Sequence, residues 1–313
     1  MREEIIVSGR NNFLIDPHLE IWEWQIPAYL FLGGLAAGIL FFAGLYFILK
    51  KEDEYKTAVK IAPIIVPFLL AFGLFCLFLD LKHKLFFWQL YTTIKFESPM
   101  SWGAWVLMLV TPLSIVWAAL HIKSIFPAWD WKFKILFEIE IFFNKYKMVL
   151  AWIMVISSVI LGIYTGILLS AFNARPLWNT SILGPLFLTS GLSTGAATIV
   201  LLSKSHSERL TFVKIDIILI AVELFLIVHM LMGFRASTQV QIEASRLFLG
   251  GEFTASFWIF VVGLGLVIPA LLEVLELRKY KVPYIVAPIL VLSGGLILRF
   301  IMIHAGQLSR WLY

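Results

Sequence analysis

Eight runs of about twenty apolar residues, separated by polar linkers, decide what this polypeptide can fold into. They extend over Pro27 to Leu49, Val59 to Leu81, Trp102 to Ile122, Met148 to Ala171, Leu183 to Ser203, Ile215 to Phe234, Ala255 to Leu275 and Tyr284 to Ile303. A hydrocarbon layer of about 30 Å is crossed by roughly 20 helical residues. Lipid offers no partner to unpaired backbone groups, so such runs cross it as helices. The expected architecture is an all-α integral membrane protein of eight transmembrane helices. Composition agrees: 60% of the 313 residues are hydrophobic and 14% charged, far from the balance of soluble domains. Pro63, Pro67, Pro112 and Pro269 fall inside the runs and predict kinks whose freed backbone groups neighbouring helices must satisfy. The polar stretch from Met1 to Glu23 lacks the basic, apolar and small-residue zones of a secretory signal, which leaves insertion to the first membrane helix.

A formal charge of +5 would raise nucleic-acid binding in a soluble domain, but here the basic residues lie in short linkers and orient the helices. Fifteen of the 25 Lys and Arg follow helices one, three, five and seven. That side is expected to face the cytoplasm and both termini the periplasm, with the chain in the cytoplasmic (inner) membrane. The single cysteine, Cys76, lies in an apolar run without a partner for a disulfide, a zinc site or an iron–sulfur cluster. Two hemes would need facing histidines at two depths. Of six histidines, His18 and His206 fall in loops, His83, His121 and His304 at helix ends, and His229 alone clearly within a span. No heme and no metal are expected on this chain; a redox metal would belong to another subunit.

The chain repeats itself at about half its length. Gly34-Leu35-Ala36-Ala37-Gly38 resembles Gly191-Leu192-Ser193-Thr194-Gly195, 157 residues later, and Ser101 with Pro112 resembles Ser256 with Pro269. Four helices per half make parallel repeats, hence two parallel four-helix bundles. The expected divisions are a periplasmic segment over 1–26, a first bundle over 27–171, a second over 172–303 and a periplasmic tail over 304–313. The same small-residue spacing also reads as a helix contact face, and both readings put tight packing at these glycines. Ser124 to Tyr146, with Trp129, Trp131, Phe133, Ile135, Leu136, Ile139 and Phe142 among Lys132, Lys134, Glu138 and Glu140, predicts an amphipathic helix anchored in the interface.

Between Leu79 and Trp105 the sequence becomes specific. Asp80-Leu81 closes the second run, Phe87-Trp88-Gln89-Leu90-Tyr91 follows, and Ser98-Pro99-Met100-Ser101-Trp102-Gly103-Ala104-Trp105 opens the third. Trp22-Glu23-Trp24 precedes the glycine-rich first helix, and Tyr164-Thr165-Gly166, Pro176-Leu177-Trp178-Asn179 and Ser190 to Gly195 come later. With these motifs nearly the whole chain resembles the NrfD/PsrC-type family of polysulfide reductase membrane subunits. It departs at Lys82-His83-Lys84, where many members have glycine, arginine and proline, and at Tyr29, where some have histidine. The resemblance implies a heme-free anchor that passes electrons between a quinone (menaquinone or ubiquinone) and a four-cluster, ferredoxin-like iron–sulfur subunit on the periplasmic face. That subunit would connect to a molybdopterin catalytic subunit, a hydrogenase or a multiheme cytochrome. The quinone pocket is implied in the first half, near the outer surface.

A quinone site needs an apolar slot and a few hydrogen-bonding or acidic groups at the carbonyls. From the orientation argument alone, Glu23, Gln25, Tyr29, Asp80, His83, Ser101, Trp102, Tyr164 and Thr165 fall at one depth near the outer face. Asp80, His83 and Tyr164 are the candidates for proton chemistry, His83 because imidazole is the side chain that exchanges protons near neutral pH. Glu23, Gln25, Tyr29, Ser101, Trp102 and Thr165 are the candidate quinone contacts. Structural readings stand beside these. Trp22, Trp24 and Trp102 suit an interfacial aromatic belt, Asp80 a salt bridge to Lys82 or Lys84, and Tyr164 a packed tyrosine with a satisfied hydroxyl. In the second half Glu223, His229 and Arg299 are ionisable residues within spans, which function or internal pairing must justify. They are expected as a proton path or, for Glu223 with Arg299, as an internal brace. The competing functional class is a proton-coupled secondary transporter without redox partners, favoured by the repeat and the charges of helices six and eight; against it, the best match for helices broken at corresponding positions is Pro112 with Pro269, and the most specific motif lies at the surface.

Overall fold

The computed structural model describes residues 21–129 and 134–310, and every regular element among them is helical. His18, Trp131, Lys132 and Phe133 lie outside the described residues, as do most of the N-terminal segment and the last three residues of the tail. Among the described residues eight helices are long and apolar enough to cross a bilayer: α1 (Gln25–Ile48), α2 (Thr57–Asp80), α3 (Pro99–Ser124), α4 (Lys147–Ser170), α5 (Leu183–Leu202), α6 (His206–Arg235), α7 (Ser256–Leu277) and α8 (Val286–Leu308). Their number and order agree with the apolar runs, but the ends do not always. α6 begins at His206 rather than Ile215, because Ser205 caps it by accepting from the Glu208 backbone N–H at 3.4 Å and polar residues occupy its first turns. The eighth helix likewise runs on to Leu308 and takes His304 inside it.

α1 and α5 form the centre. Of their apolar stretches 67% and 72% are buried, against 28% for the peripheral α7. α1 packs against α2, α4, α5 and α8, and α5 against α1, α4, α6 and α8. Helices of each half touch in ring order, and α1 and α5 pack on each other as well as on α8 and α4 of the opposite half, so the two sets of four meet along a central contact. The central crossing is made by the two glycine motifs. A Cβ on Gly191 would meet the Gly34 carbonyl oxygen at 2.7 Å, and one on Gly195 the Gly38 carbonyl carbon at 2.6 Å. Only hydrogen at these positions lets the backbones approach so closely.

The prolines act where the helices change pitch. α2 opens with a π-helical turn (Thr57–Ile61) and a 3₁₀ turn (Ala62–Ile65) before becoming regular at Val66. Pro63 has no N–H for the Val59 carbonyl, and Trp117 Nε1 of α3 donates to that oxygen at 3.0 Å instead. The Ala58 N–H is taken by the Glu208 carboxylate of α6 at 2.9 Å. In α7 a π-helical segment, Ser256–Val267, ends just before Pro269, whereas α3 continues unbroken through Pro112. The expected amphipathic helix is present over Lys134–Lys145, with Ile135, Phe137, Ile141 and Phe142 exposed and Lys123 of α3 holding Glu140 at 3.2 Å.

With eight crossings the first and last described residues share one end, here called the terminal end. Gln307 closes it, accepting from the Ile21 and Trp22 backbone N–H groups at 2.9 and 2.8 Å and donating to the Trp22 carbonyl at 2.9 Å. The opposite, basic end carries the Lys- and Arg-rich linkers.

Candidate functional site

At the terminal end the first four helices and the 81–98 loop enclose a cavity of about 120 Å³. Trp22, Tyr29, Asp80, Tyr91 and Tyr164 bring polar atoms to it, and Leu77, Leu107 and Leu168 supply apolar wall. Tyr29 is only 3% exposed and its hydroxyl makes no hydrogen bond of ordinary geometry; the Tyr164 hydroxyl is the polar group that faces it. Asp80 is half-buried at the end of α2, with the Glu23 carboxylate as its charged neighbour. Burial pushes the Tyr91 phenol up from its usual range, which keeps it a neutral donor.

The segment Ser101-Trp102-Gly103 builds this site in three steps. The Ser101 hydroxyl donates to the Thr93 carbonyl at 3.4 Å and the Trp102 indole to the Phe96 carbonyl at 2.7 Å, which hold the loop above the cavity. Gly103 then leaves room for the Tyr164 ring, since a Cβ there would overlap the phenol. On the other wall Trp22 packs on Phe172 and Trp178 with ring centroids 5.3 and 5.4 Å apart. Trp178 in turn donates to the Met302 carbonyl at 2.8 Å and crosses α8 at Gly306, where a Cβ would overlap its indole.

Of the residues singled out in the sequence, Tyr29, Asp80 and Tyr164 therefore meet around one cavity. His83 and Ser101 line a neighbouring, more open groove of about 410 Å³, with His83 exposed. Trp102 lines a third hollow, about 370 Å³, on the perimeter between α3 and α4, and Tyr164 is the wall it shares with the cavity. Glu23 is exposed and Gln25 half-buried, and neither borders the cavity. Thr165 is buried, but its hydroxyl donates to the Gly162 carbonyl at 2.9 Å within its own helix. Trp22, read from sequence as a belt residue, and Tyr91, read only as part of a motif, both line the cavity.

In the second half Glu223 and Arg299 are buried and face each other electrostatically. Arg299 donates to the Ser190 hydroxyl at 2.5 Å and to the carbonyls of Gly295 and Phe187 at 3.0 and 3.2 Å. His229 does not join them: it is exposed on the perimeter of α6, stacked on Phe225 with ring centroids 5.9 Å apart. Three buried acids go beyond the residues that the sequence singles out, namely Glu208, Asp216 and Glu273. Arg209, Asp216 and Glu223 recur every seven residues, two helical turns, and that spacing was the signal available for Asp216.

The family model described as Polysulphide reductase, NrfD matches residues 13–309, all eight helices and every cavity residue included. The chain belongs to this family. It is 33% identical to Protein NrfD of Escherichia coli (strain K12) over 304 residues, which cover 92% of this chain and 96% of that one. The C subunit of the polysulfide reductase of Wolinella succinogenes is 29% identical over 301 residues, 92% of this chain and 94% of the other. The NrfD homolog of Haemophilus influenzae is 29% identical over 310 residues, 92% and 95% of the two proteins. Family and fold together make this a multi-pass membrane protein of the NrfD/polysulphide reductase type.

Proposed function

We propose that this chain is the quinone-handling membrane subunit of a respiratory oxidoreductase complex, exchanging electrons between the membrane quinone pool and an iron–sulfur subunit docked at the terminal end. The observation that carries this reading is the Tyr29 hydroxyl, buried in an apolar-walled cavity without a hydrogen bond of ordinary geometry, facing the Tyr164 hydroxyl and near Asp80. A buried hydroxyl without a partner costs about 1–3 kcal/mol, and a ligand carbonyl in the cavity would relieve it. The cavity of about 120 Å³ is small for a ring, but it and the perimeter hollow share Tyr164 as a wall. Together they offer a slot for a head group and a lipid-side channel for an isoprenoid tail. A bound quinone supplies a reversible two-electron, two-proton couple. Tyr29, Tyr91 and Tyr164 would orient it by donating to its carbonyls, while Leu77, Leu107 and Leu168 exclude water from the ring. Asp80 would accept or return a proton at its carboxylate, and His83 in the adjoining open groove would relay it to water. Glu223 and Arg299 make up the proposed proton route of the second half, without His229.

The name of the Wolinella relative, one subunit of a reductase, supports a multi-subunit setting. So does the loop of the terminal end, where Leu85, Phe86 and Phe96 are 86%, 53% and 74% exposed, an apolar surface suited to a partner. The partner proposed is a four-cluster ferredoxin-like subunit, leading to a molybdopterin protein, a hydrogenase or a multiheme cytochrome. The test replaces Tyr164 by Phe and Asp80 by Asn in the whole complex. Loss of proton transfer and orientation lowers quinone-coupled turnover by about 100-fold, while assembly and dye-linked activity of the partner subunits stay unchanged. Equal loss of both activities would make the residues structural and remove the quinone site from this cavity.

A further inference from the structure

Away from that cavity, the second half buries three carboxyl groups besides Glu208, and one arginine. Asp216 and Glu223 of α6, Glu273 of α7 and Arg299 of α8 are each at most 2% exposed. Arg299 is committed to the Glu223 side: its guanidinium reaches the Ser190 hydroxyl at 2.5 Å, and Glu223 is the acid whose field it meets. Asp216 and Glu273 face each other, and among the described residues no cation acts on either. Ser193 Oγ donates to Asp216 Oδ1 at 2.5 Å, whereas Asp216 Oδ2 and both Glu273 oxygens are buried without any hydrogen-bond donor. Two ionised carboxylates cannot share such a place, because desolvation and mutual repulsion both oppose the charge.

We propose that Asp216 and Glu273 form a proton-binding site that holds one exchangeable proton between them and loads it from the basic end of the molecule. The hydrogen-bond pattern assigns the proton. Asp216 Oδ1 already accepts from Ser193, so Glu273 carries the hydrogen and donates it to Asp216 Oδ2, which leaves one charge on the pair. The way in is marked by Glu276, one turn along α7 from Glu273, whose carboxylate pairs with Arg209 Nε at 3.4 Å and is 12% exposed. Arg209 stacks on Tyr284 of the following linker at 4.4 Å, which puts this ion pair between the buried acids and the water of the basic end. The charged groups facing the pair are Glu223 from α6 and Glu276 from α7; Arg209 of α6 is held by Glu276, Arg299 of α8 faces Glu223, and α5 offers only hydroxyls, Ser193 among them. This site goes beyond the quinone reading and does not depend on it.

Infrared difference spectroscopy of the purified full-length chain in lipid nanodiscs, before and after exchange into D₂O, reads the site with no quinone present. The expected result is the C=O stretch of a protonated carboxyl group at neutral pH that shifts in D₂O. It is lost in Glu273→Gln, moves in frequency in Ser193→Ala, and exchanges more slowly in Glu276→Gln. Ser193→Ala keeps both carboxyls in place and decides the matter should Glu273→Gln fail to fold. Absence of the band in the wild type overturns the proposal, as does a band unchanged in both Glu273→Gln and Ser193→Ala. Disappearance of the band when sodium replaces choline overturns it too, in favour of a sodium site.

Discussion

Tyr164 owes its position to a glycine on another helix. Its ring crosses the α3–α4 interface where Gly103 lacks a side chain, so Gly103→Ala must expel the phenol or part the helices. Overpacking of this kind destabilises by about 1–3 kcal/mol, and quinone-coupled turnover should fall with it. Gly103→Ala combined with Tyr164→Leu should recover the melting temperature but not the turnover, because the space returns and the hydroxyl does not. If Gly103→Ala alone keeps both, the ring is not held as described. The sequence put Tyr164 next to Gly166, but that glycine serves the approach of α4 to the Leu183 backbone of α5. Which glycine admits which ring depends on contacts between separate helices, so residue types near Tyr164 were legible and the neighbour that matters was not. Asp216 and Glu273 were missed for a related reason. A hydropathy window averages one acid among many apolar residues, and only the seven-residue recurrence of Arg209, Asp216 and Glu223 marks a polar stripe on one face.

Helices that break their own hydrogen-bond ladder in a bilayer need outside donors and acceptors. α2 depends on two: Trp117 for the Val59 carbonyl that Pro63 cannot serve, and Glu208 for the Ala58 N–H. Trp117→Phe keeps most of the apolar volume and removes the donor, and leaving the buried carbonyl unpaired should cost about 1–3 kcal/mol, seen as a lower melting temperature of the purified chain. Glu208→Gln, which keeps one carbonyl oxygen to accept from the Ala58 N–H and offers an amide N–H to the Ser203 hydroxyl, should cost much less than Glu208→Ala. Equal melting temperatures for the Gln and Ala variants would mean that this carboxylate does not support α2. The irregularity was readable from Pro63, but its remedy was not, since Trp117 lies 58 residues from Val59 and Glu208 150 residues from Ala58. The early start of α6 was readable: Ser205 and Glu208 have the spacing of a helix-capping pair, and the polar turns that follow fall outside the apolar run by which the span was located.

At the scale of the whole molecule, the eight apolar runs fix one fact that the side chains then exploit, that the first and last described residues and the 81–98 loop share a face. Gln307 clamps Trp22 there, the cavity opens beneath it, and the Arg209–Glu276 pair and buried acids belong to the other face. Which face meets the cytoplasm rests on fifteen basic residues against ten, a bias that acts during insertion. It can be tested with one probe at each end. Cys76 is fully buried and should stay silent, so single cysteines replacing the exposed Lys84 and Lys281 would report alone. A membrane-impermeant maleimide applied to intact spheroplasts should label Lys84→Cys, and label Lys281→Cys only after the membrane is opened. The reverse pattern would turn the loop toward the cytoplasm and move the proposed iron–sulfur partner with it. It would also make Asp216 and Glu273 load from outside, so the orientation decides whether a proton taken up at the basic end and one released near Asp80 would move charge outward or inward across the membrane.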